Sequence, residues 1–489
     1  MPPSKTDSLG ASAAKGGFAS LLGQILKVLV QFGGLIFLAR LLNPSDYGML
    51  AMIVAIVGVG ELFRDFGLTT ASIQARHLSN GQRTNLFWTN SALGLCLGIV
   101  VFLSAGLVAS FYNEPMLKPL TQVLSITFLF NGISTQFKAH LNRELQLVRL
   151  TAGDLIGQIA GLALGLAMAL NGFGVWALIG QQVLQSLASL LAMIILARWR
   201  PSRISRDTDA SIRPFLKFGW NIMGSQLLSY ATTNVSSVII GSQLGAAPLG
   251  LYNRAYQLVV LPLQQLNAPA SRVALPVLSR LHSEADRYKE FLLAGQSILL
   301  HALVLIFAFT CAQAEPLIRL VLGGQWMASA PIFQILAISG VFQAAGYATY
   351  WVFVSKGLSG SQLRYALIFR PIAIAMIALG AIWGIYGIAW MYTGSMFVGW
   401  IFGLIWISRV SDAPSLSMFA NGLRAIVGYG AAGAISFAAA SLVDPGSDLQ
   451  RILVGAATMI LALGIVFFAW SAFRRDIMRI VRAAKLLRK

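Results

Sequence analysis

The chain has 489 residues, 57% of them hydrophobic and 11% charged, with a net charge of +19 at pH 7. Soluble chains carry about 25% charged residues, so this composition excludes a soluble enzyme or binding domain. The surplus of 36 Lys+Arg over 17 Asp+Glu does not mark a nucleic-acid binder, because it collects at loop positions between apolar runs.

About 20 apolar residues cross the hydrocarbon core of a bilayer. Fourteen such runs predict spans near 17–40, 48–74, 86–111, 116–137, 148–170, 173–197, 215–241, 249–280, 291–314, 330–355, 363–383, 386–408, 416–441 and 451–473. A short polar arm, 1–16, precedes them. The first run is too long for a cleavable signal peptide and is kept as span 1. Alternate loops hold nearly all the basic residues, whereas the opposite set holds only Arg40, Lys118, Arg319 and Arg451. By the positive-inside rule both termini are cytoplasmic, in a multi-pass membrane protein.

The spans carry few charges, and these carry the functional reading. An ionisable residue within a span is costly, so it faces protein or a water-filled path. Lys27 lies in span 1. Span 2 holds Glu61, Arg64 and Asp65, which cluster on one side of a helix. Lys27 and Glu61 are at similar depth on either side of the turn between these spans. Lys27 therefore pairs with Glu61 or Asp65, and Arg64 with the other. Three readings stay open for this cluster: a structural clamp that holds the first lobe together, a direct cargo contact, or a carboxylate that gates by protonating or binding Na+. Asp154 in span 5 is the remaining intramembrane acid, a partner for Arg272 or an ion site.

Span 8 differs. Arg254 and Arg272 are 18 residues apart, five helical turns, so they project from one face. Gln257, Gln264, Gln265 and Asn267 lie between them near that face. Pro262 and Pro269 free backbone carbonyls that require a polar interior. Snorkelling to headgroups is the alternative for either arginine. Elsewhere, Cys96 and Cys311 read as small packing residues, His301 as a packed or hydrogen-bonded one, and no residue set has a catalytic or metal-binding pattern.

Residues 19–48 align on 221–250 at an offset of 202, with Leu42 on Leu244 and Gly48 on Gly250. This weak repeat predicts two parallel lobes of six helices, 17–200 and 215–410, joined by a basic connector, 201–214. An extra helix pair, 411–473, and a basic tail, 474–489, follow. In the tail Ile477, Ile480, Val481, Ala484 and Leu487 recur at helical spacing between basic residues, which predicts an interfacial helix on anionic lipid. The fold class is thus an all-α polytopic membrane protein of about 14 transmembrane helices.

Ala39-Arg40-Leu41-Leu42-Asn43-Pro44-Ser45-Asp46-Tyr47-Gly48 and Glu61-Leu62-Phe63-Arg64-Asp65-Phe66-Gly67-Leu68 resemble the Wzx-type polysaccharide flippases of the multidrug/oligosaccharidyl-lipid/polysaccharide superfamily. Gly250-Leu251-Tyr252-Asn253-Arg254-Ala255-Tyr256-Gln257, the run from Ser271 to Leu281 and the segment from Leu322 to Ile332 do so as well. The resemblance implies a transporter, not an enzyme, without a cofactor. Its cargo would be an oligosaccharide on undecaprenyl pyrophosphate, moved outward by alternating access through a cationic cavity. Arg272 would meet the pyrophosphate near the cytoplasmic mouth and Arg254 near the periplasmic one. Lys27, Arg64, Gln257 and Gln265 would join them, with Glu61, Asp65 and Asp154 in gating or ion coupling. Membrane lipids, H+ or Na+ and other polysaccharide-assembly proteins are the partners this implies. A cation-coupled drug or metabolite exporter and a non-transporting scaffold of a glycan-assembly complex stay open as alternatives.

Overall fold

The computed structural model describes residues 5–65, 79–204, 212–442 and 447–486, with side chains left undescribed at 5–21, 65, 213–225, 228 and 481–486. Predicted residues 66–74 of span 2, the side chain of Asp65, much of the connector, and Val481, Ala484 and Leu487 of the tail therefore lie outside the description. Helices and short turns make up the described residues, and no strand occurs among them. Ten stretches among them are long and apolar enough to cross a membrane, and one, Ser359–Val410, contains two helices. The chain is an all-α polytopic membrane protein.

It packs as two compact units, Met1–Gly250 and Leu251–Lys489. The first contains α1 (Lys5–Leu41), α2 (Pro44–Asp65), α3 (Asn80–Tyr112), α4 (Leu117–Leu124), α5 (Ile126–Arg143), α6 (Leu147–Leu170), α7 (Val175–Ala197), α8 (Arg213–Leu244) and the start of α9 (Ala246–Arg280). Helix α1 starts within the arm read as polar, which holds no proline after Pro3 to stop it. Predicted span 4 is two helices, because the chain turns at Ser125, whose hydroxyl bonds the Gln122 carbonyl at 2.7 Å. Helix α3 begins at a capping box in which Ser79 and Gln82 satisfy each other's backbone N–H groups. Gly153, Gly157, Gly161 and Gly165 line one face of α6. The Gly157 and Gly161 positions lie directly against the α7 backbone at Gln185 and Gln181, the close approach that small residues permit between membrane helices.

The repeat has a structural counterpart. A methyl group on Gly48 would overlap the carbonyl oxygen of Ala246, and one on Gly250 would overlap that of Pro44. At the offset of 202, Ala246 is the equivalent of Pro44, so one contact is made twice, reciprocally. Reciprocity of this kind is what a local two-fold axis between the 44–48 and 246–250 segments produces.

The second unit contains the rest of α9, then α10 (Ala285–Ala312), α11 (Ala314–Val321), a 3-10 turn (Gly324–Ser329), α12 (Ala330–Ser355), α13 (Ser359–Gly380), α14 (Gly384–Val410), α15 (Ser415–Ser441), α16 (Asp448–Ala469) and α17 (Ser471–Leu486). Trp326 and Trp351 are buried in its core. In the turn after α14, Asp412 accepts a hydrogen bond from Lys356, which holds its carboxyl below the ordinary range. The tail is docked at its root. Phe473 is buried against His301 and Tyr429, and buried Asp476 binds Arg424 of α15 at 2.7 Å.

Gly48→Ala and Gly250→Ala should each cost about 1–3 kcal/mol, because their nearest neighbours are backbone and cannot swing aside. Gly106 has open space at its Cβ position, so Gly106→Ala should stay within about 0.5 kcal/mol. Thermal unfolding of the purified protein checks this, and three equal midpoints would contradict the contact.

Candidate functional site

In the first unit the intramembrane charges form two groups on four helices. Lys27 of α1 and Lys138 of α5 share the carboxylate of Asp154 on α6, at 3.4 Å and 2.9 Å. Gln158, one turn beyond Asp154, donates to the Lys27 carbonyl at 3.2 Å. Separately, Arg64 pairs with Glu61 on α2 at 2.6 Å, and Asn131 of α5 donates to the same carboxylate at 3.4 Å.

The predicted partner of Lys27 is corrected. Depth matches Lys27 to Glu61 or Asp65, the latter's side chain lying outside the description, but α1 packs along α6, where Gly23 meets Thr151 and Gly34 meets Leu162. The azimuth of that packing turns Lys27 toward Asp154, and Arg64 takes Glu61. Asp154 is thus engaged within its own unit.

Lys138 was missed because span 4 was ended at residue 137, placing it in a loop, whereas α5 continues to Arg143. The signal was available. Counted back from the 144–146 turn, Lys138 lies about as far along α5 as Asp154 lies along α6. With it, the Asp154 cluster has two cations for one acid and a surplus of one positive charge.

Helix α9 remains continuous through Pro262, Pro269 and Pro276. Each proline removes the N–H that would bond the carbonyl four residues earlier, so those of Leu258, Gln265 and Arg272 lose their intrahelical donor. Gln264, Gln265 and Arg272 are exposed, and Arg254 and Gln257 are half-buried. Arg254 Nη1 donates to Gln257 Oε1 at 2.7 Å, fixing the guanidinium one turn from its own backbone. Next to Arg272, the Trp351 indole donates to Ser271 Oγ at 2.8 Å, and Ser271 donates to Asn267 at 3.1 Å. Among the described residues Arg272 makes no ion pair. At about 1.5 Å per residue the two arginines are roughly 27 Å apart, too far for one phosphate group to bridge.

Sequence reading also missed the aromatic support of α9. Tyr252 stacks on Tyr256 with a 9° interplanar angle, and Tyr392 of α14 meets Tyr256 edge-on at 5.7 Å. Gln343 of α12 donates to the Tyr392 hydroxyl at 3.1 Å. This anchors the α9 segment that carries Arg254. Among the described residues no group of His, Cys, Asp and Glu is arranged to hold a metal.

A double-mutant cycle on thermal stability tests the pairing. Lys27→Ala and Asp154→Ala should couple by about 0.5–3 kcal/mol, whereas Lys27→Ala and Glu61→Ala should add to within about 0.5 kcal/mol. Larger coupling in the second cycle would reverse the assignment.

The chain is similar to the lipopolysaccharide biosynthesis protein WzxC of Escherichia coli K12, 25% identical over 70% of each chain. It is 24% identical to the teichuronic acid biosynthesis protein TuaB of Bacillus subtilis, over 87% of this chain and 88% of that one. Its fold is that of the lipid II flippase MurJ, solved in an inward closed conformation, with a TM-score of 0.71 at 14% identity over 93% of this chain and 99% of that one. An inward-facing multidrug transporter of the MATE family shares it at a TM-score of 0.62 and 16% identity, over 80% of this chain and 95% of that one. Residues 37–331, more than half of the sequence, match the model of a family described as polysaccharide biosynthesis protein. The chain belongs to the polysaccharide biosynthesis protein family.

Proposed function

We propose that this protein is a flippase of the bacterial inner membrane that moves an oligosaccharide linked to undecaprenyl pyrophosphate from the cytoplasmic to the periplasmic leaflet by alternating access. The observation that carries the reading is that Arg272 and Arg254 lie on one proline-bearing helix of the family-matched region, where they would serve as two stations. Guanidinium groups suit phosphate oxygens through paired, charge-assisted hydrogen bonds. Gln257 orients Arg254, and exposed Gln265 lies between the stations as a donor to phosphate or sugar. Relatives named for lipopolysaccharide and teichuronic acid biosynthesis support a surface-glycan cargo. Basic loops on one side support cytoplasmic termini. The same cationic character disfavours the export of cationic drugs, which calls for acids in the pocket.

The clusters of the first unit have a different part in this reading. Lys27 and Lys138 reach one carboxylate from separate helices, so a shift of α1 against α5 trades one ion pair for the other at Asp154. That makes the cluster a gate. Glu61 of the separate α2 pair would be a second gating or ion-coupling acid, with Arg64 as either counter-charge or cargo contact.

With the cytoplasm negative, an anion leaving it gains about 2.3 kcal/mol per charge per 100 mV. Where the compensating arginines stay behind, the potential can drive export without a coupled cation. Collapsing it while the H+ and Na+ gradients are held should slow flipping, and an unchanged rate would refute this source of drive.

A strain lacking the gene should accumulate lipid-linked oligosaccharide on the cytoplasmic leaflet. The wild-type gene should clear it, and Arg272→Ala should slow clearance about tenfold or more, the loss of a charge-assisted hydrogen bond. Arg272→Ala and Arg254→Ala variants that are well expressed and export glycan normally would overturn the two-station path. Efflux of a cationic dye in place of glycan clearance would point to the drug-exporter reading.

A further inference from the structure

Within the first unit, the first turn of α3 and the last turns of α5 enclose a cavity of about 190 Å³. That is more than ten times the roughly 10–15 Å³ that one water needs. Its polar lining is Asn80, Arg83, Gln136, His140, Arg143 and Glu144. None of these belongs to the stations on α9 or to the Asp154 cluster.

Arg83 is held before any ligand arrives. Its guanidinium lies over the Trp199 ring at 4.8 Å, and Trp199 is wedged edge-on against Phe87 and Phe137. Nη1 donates to His140 Nδ1 at 2.9 Å and Nη2 donates to Asn80 Oδ1. Because a guanidinium can only donate, His140 accepts at Nδ1 and is neutral in this arrangement. Arg143 supplies a second guanidinium, and with Glu144 the lining has one net positive charge.

Gln136 supplies the independent sign. It is 1% exposed, and neither its Nε2 nor its Oε1 has a hydrogen-bond partner among the described residues. A buried amide left wholly unpaired beside a polar cavity indicates a missing occupant.

We propose that this cavity is a binding site for a phosphate oxyanion, held by Arg83 and Arg143 and completed by the Gln136 side-chain N–H. Two guanidiniums lining one cavity suit phosphate oxygens. Gln136 Oε1 accepts from a protonated phosphate oxygen or from a water bound beside it. Glu144 is exposed at the rim and opposes the anion. The group has two possible sources, free phosphate or the headgroup of an anionic phospholipid, which share this chemistry.

Full-length protein in neutral detergent is titrated with inorganic phosphate against chloride at equal ionic strength, read by 31P line broadening and the thermal midpoint. In parallel, protein in nanodiscs of phosphatidylglycerol or phosphatidylcholine is scored by native mass spectrometry for retained lipid. Saturable phosphate binding assigns the site to a free anion, and selective retention of phosphatidylglycerol assigns it to a headgroup. In either case Arg143→Gln and Gln136→Leu should weaken binding about tenfold, and Glu144→Gln should tighten it several-fold. Gln136→Leu removes the unpaired amide, so its unliganded midpoint should hold or rise, which separates lost binding from lost fold. Neither phosphate binding nor phosphatidylglycerol selectivity in the wild type, or equal binding by wild type and variants, overturns the proposal and leaves a cavity of water alone.

Discussion

Taking a charge out of water and into a membrane interior costs several kcal/mol, and each helix that carries one here is arranged around how that cost is met. In the first unit it is met by pairing. Asp154 takes Lys27 from α1 and Lys138 from α5, so one carboxylate ties three helices together at a single depth. Glu61 and Arg64 neutralise each other within α2, with Asn131 as a third partner. These contacts are half-buried, and water at their edges lowers both the cost of burial and the strength of the pairs. A pair of moderate strength is suited to exchange.

On α9 the cost is met by a polar stripe. Arg272 has no ion pair among the described residues, and the helix around it exposes glutamines and proline-freed carbonyls. Such a stripe is tolerated at membrane depth where it borders protein or a wet path. Its donors suit an anion, and the carbonyls suit the hydroxyl groups of a sugar. The aromatic packing of Tyr252, Tyr256 and Tyr392 keeps the other end of that helix in place.

Much of this was legible from the sequence because membrane helices obey a length rule and a charge rule. Each predicted span overlaps a described helix, span 4 two of them, and ten described stretches are long and apolar enough to cross a membrane, which is consistent with the predicted count. The turn at Ser125 leaves no mark in hydropathy. The repeat at Gly48 and Gly250 was legible as pattern, while its physical basis, a carbonyl pressed on each glycine, required coordinates. Depth along a helix could be counted from the turns, but azimuth could not. Lys27 was therefore placed at the right level and given the wrong acid, and Lys138 was assigned to a loop. The tail was read as an amphipathic helix from Ile477 and Ile480. That helix is present from Ser471, and its root is also pinned by Phe473 and Asp476, a contact whose partners, His301, Tyr429 and Arg424, are far away in sequence.

The central claim is that the chain recognises the pyrophosphate of a lipid-linked glycan and carries it across the membrane. The most direct test reconstitutes the full chain in vesicles with a labelled oligosaccharide lipid confined to one leaflet, and follows its appearance in the other. One glycan is compared on undecaprenyl pyrophosphate and on an uncharged polyprenyl carrier. The account predicts transfer of the pyrophosphate form at least about tenfold faster, the loss expected when a charge-assisted contact is removed. Equal rates for the two carriers, or no transfer above protein-free vesicles, would contradict it.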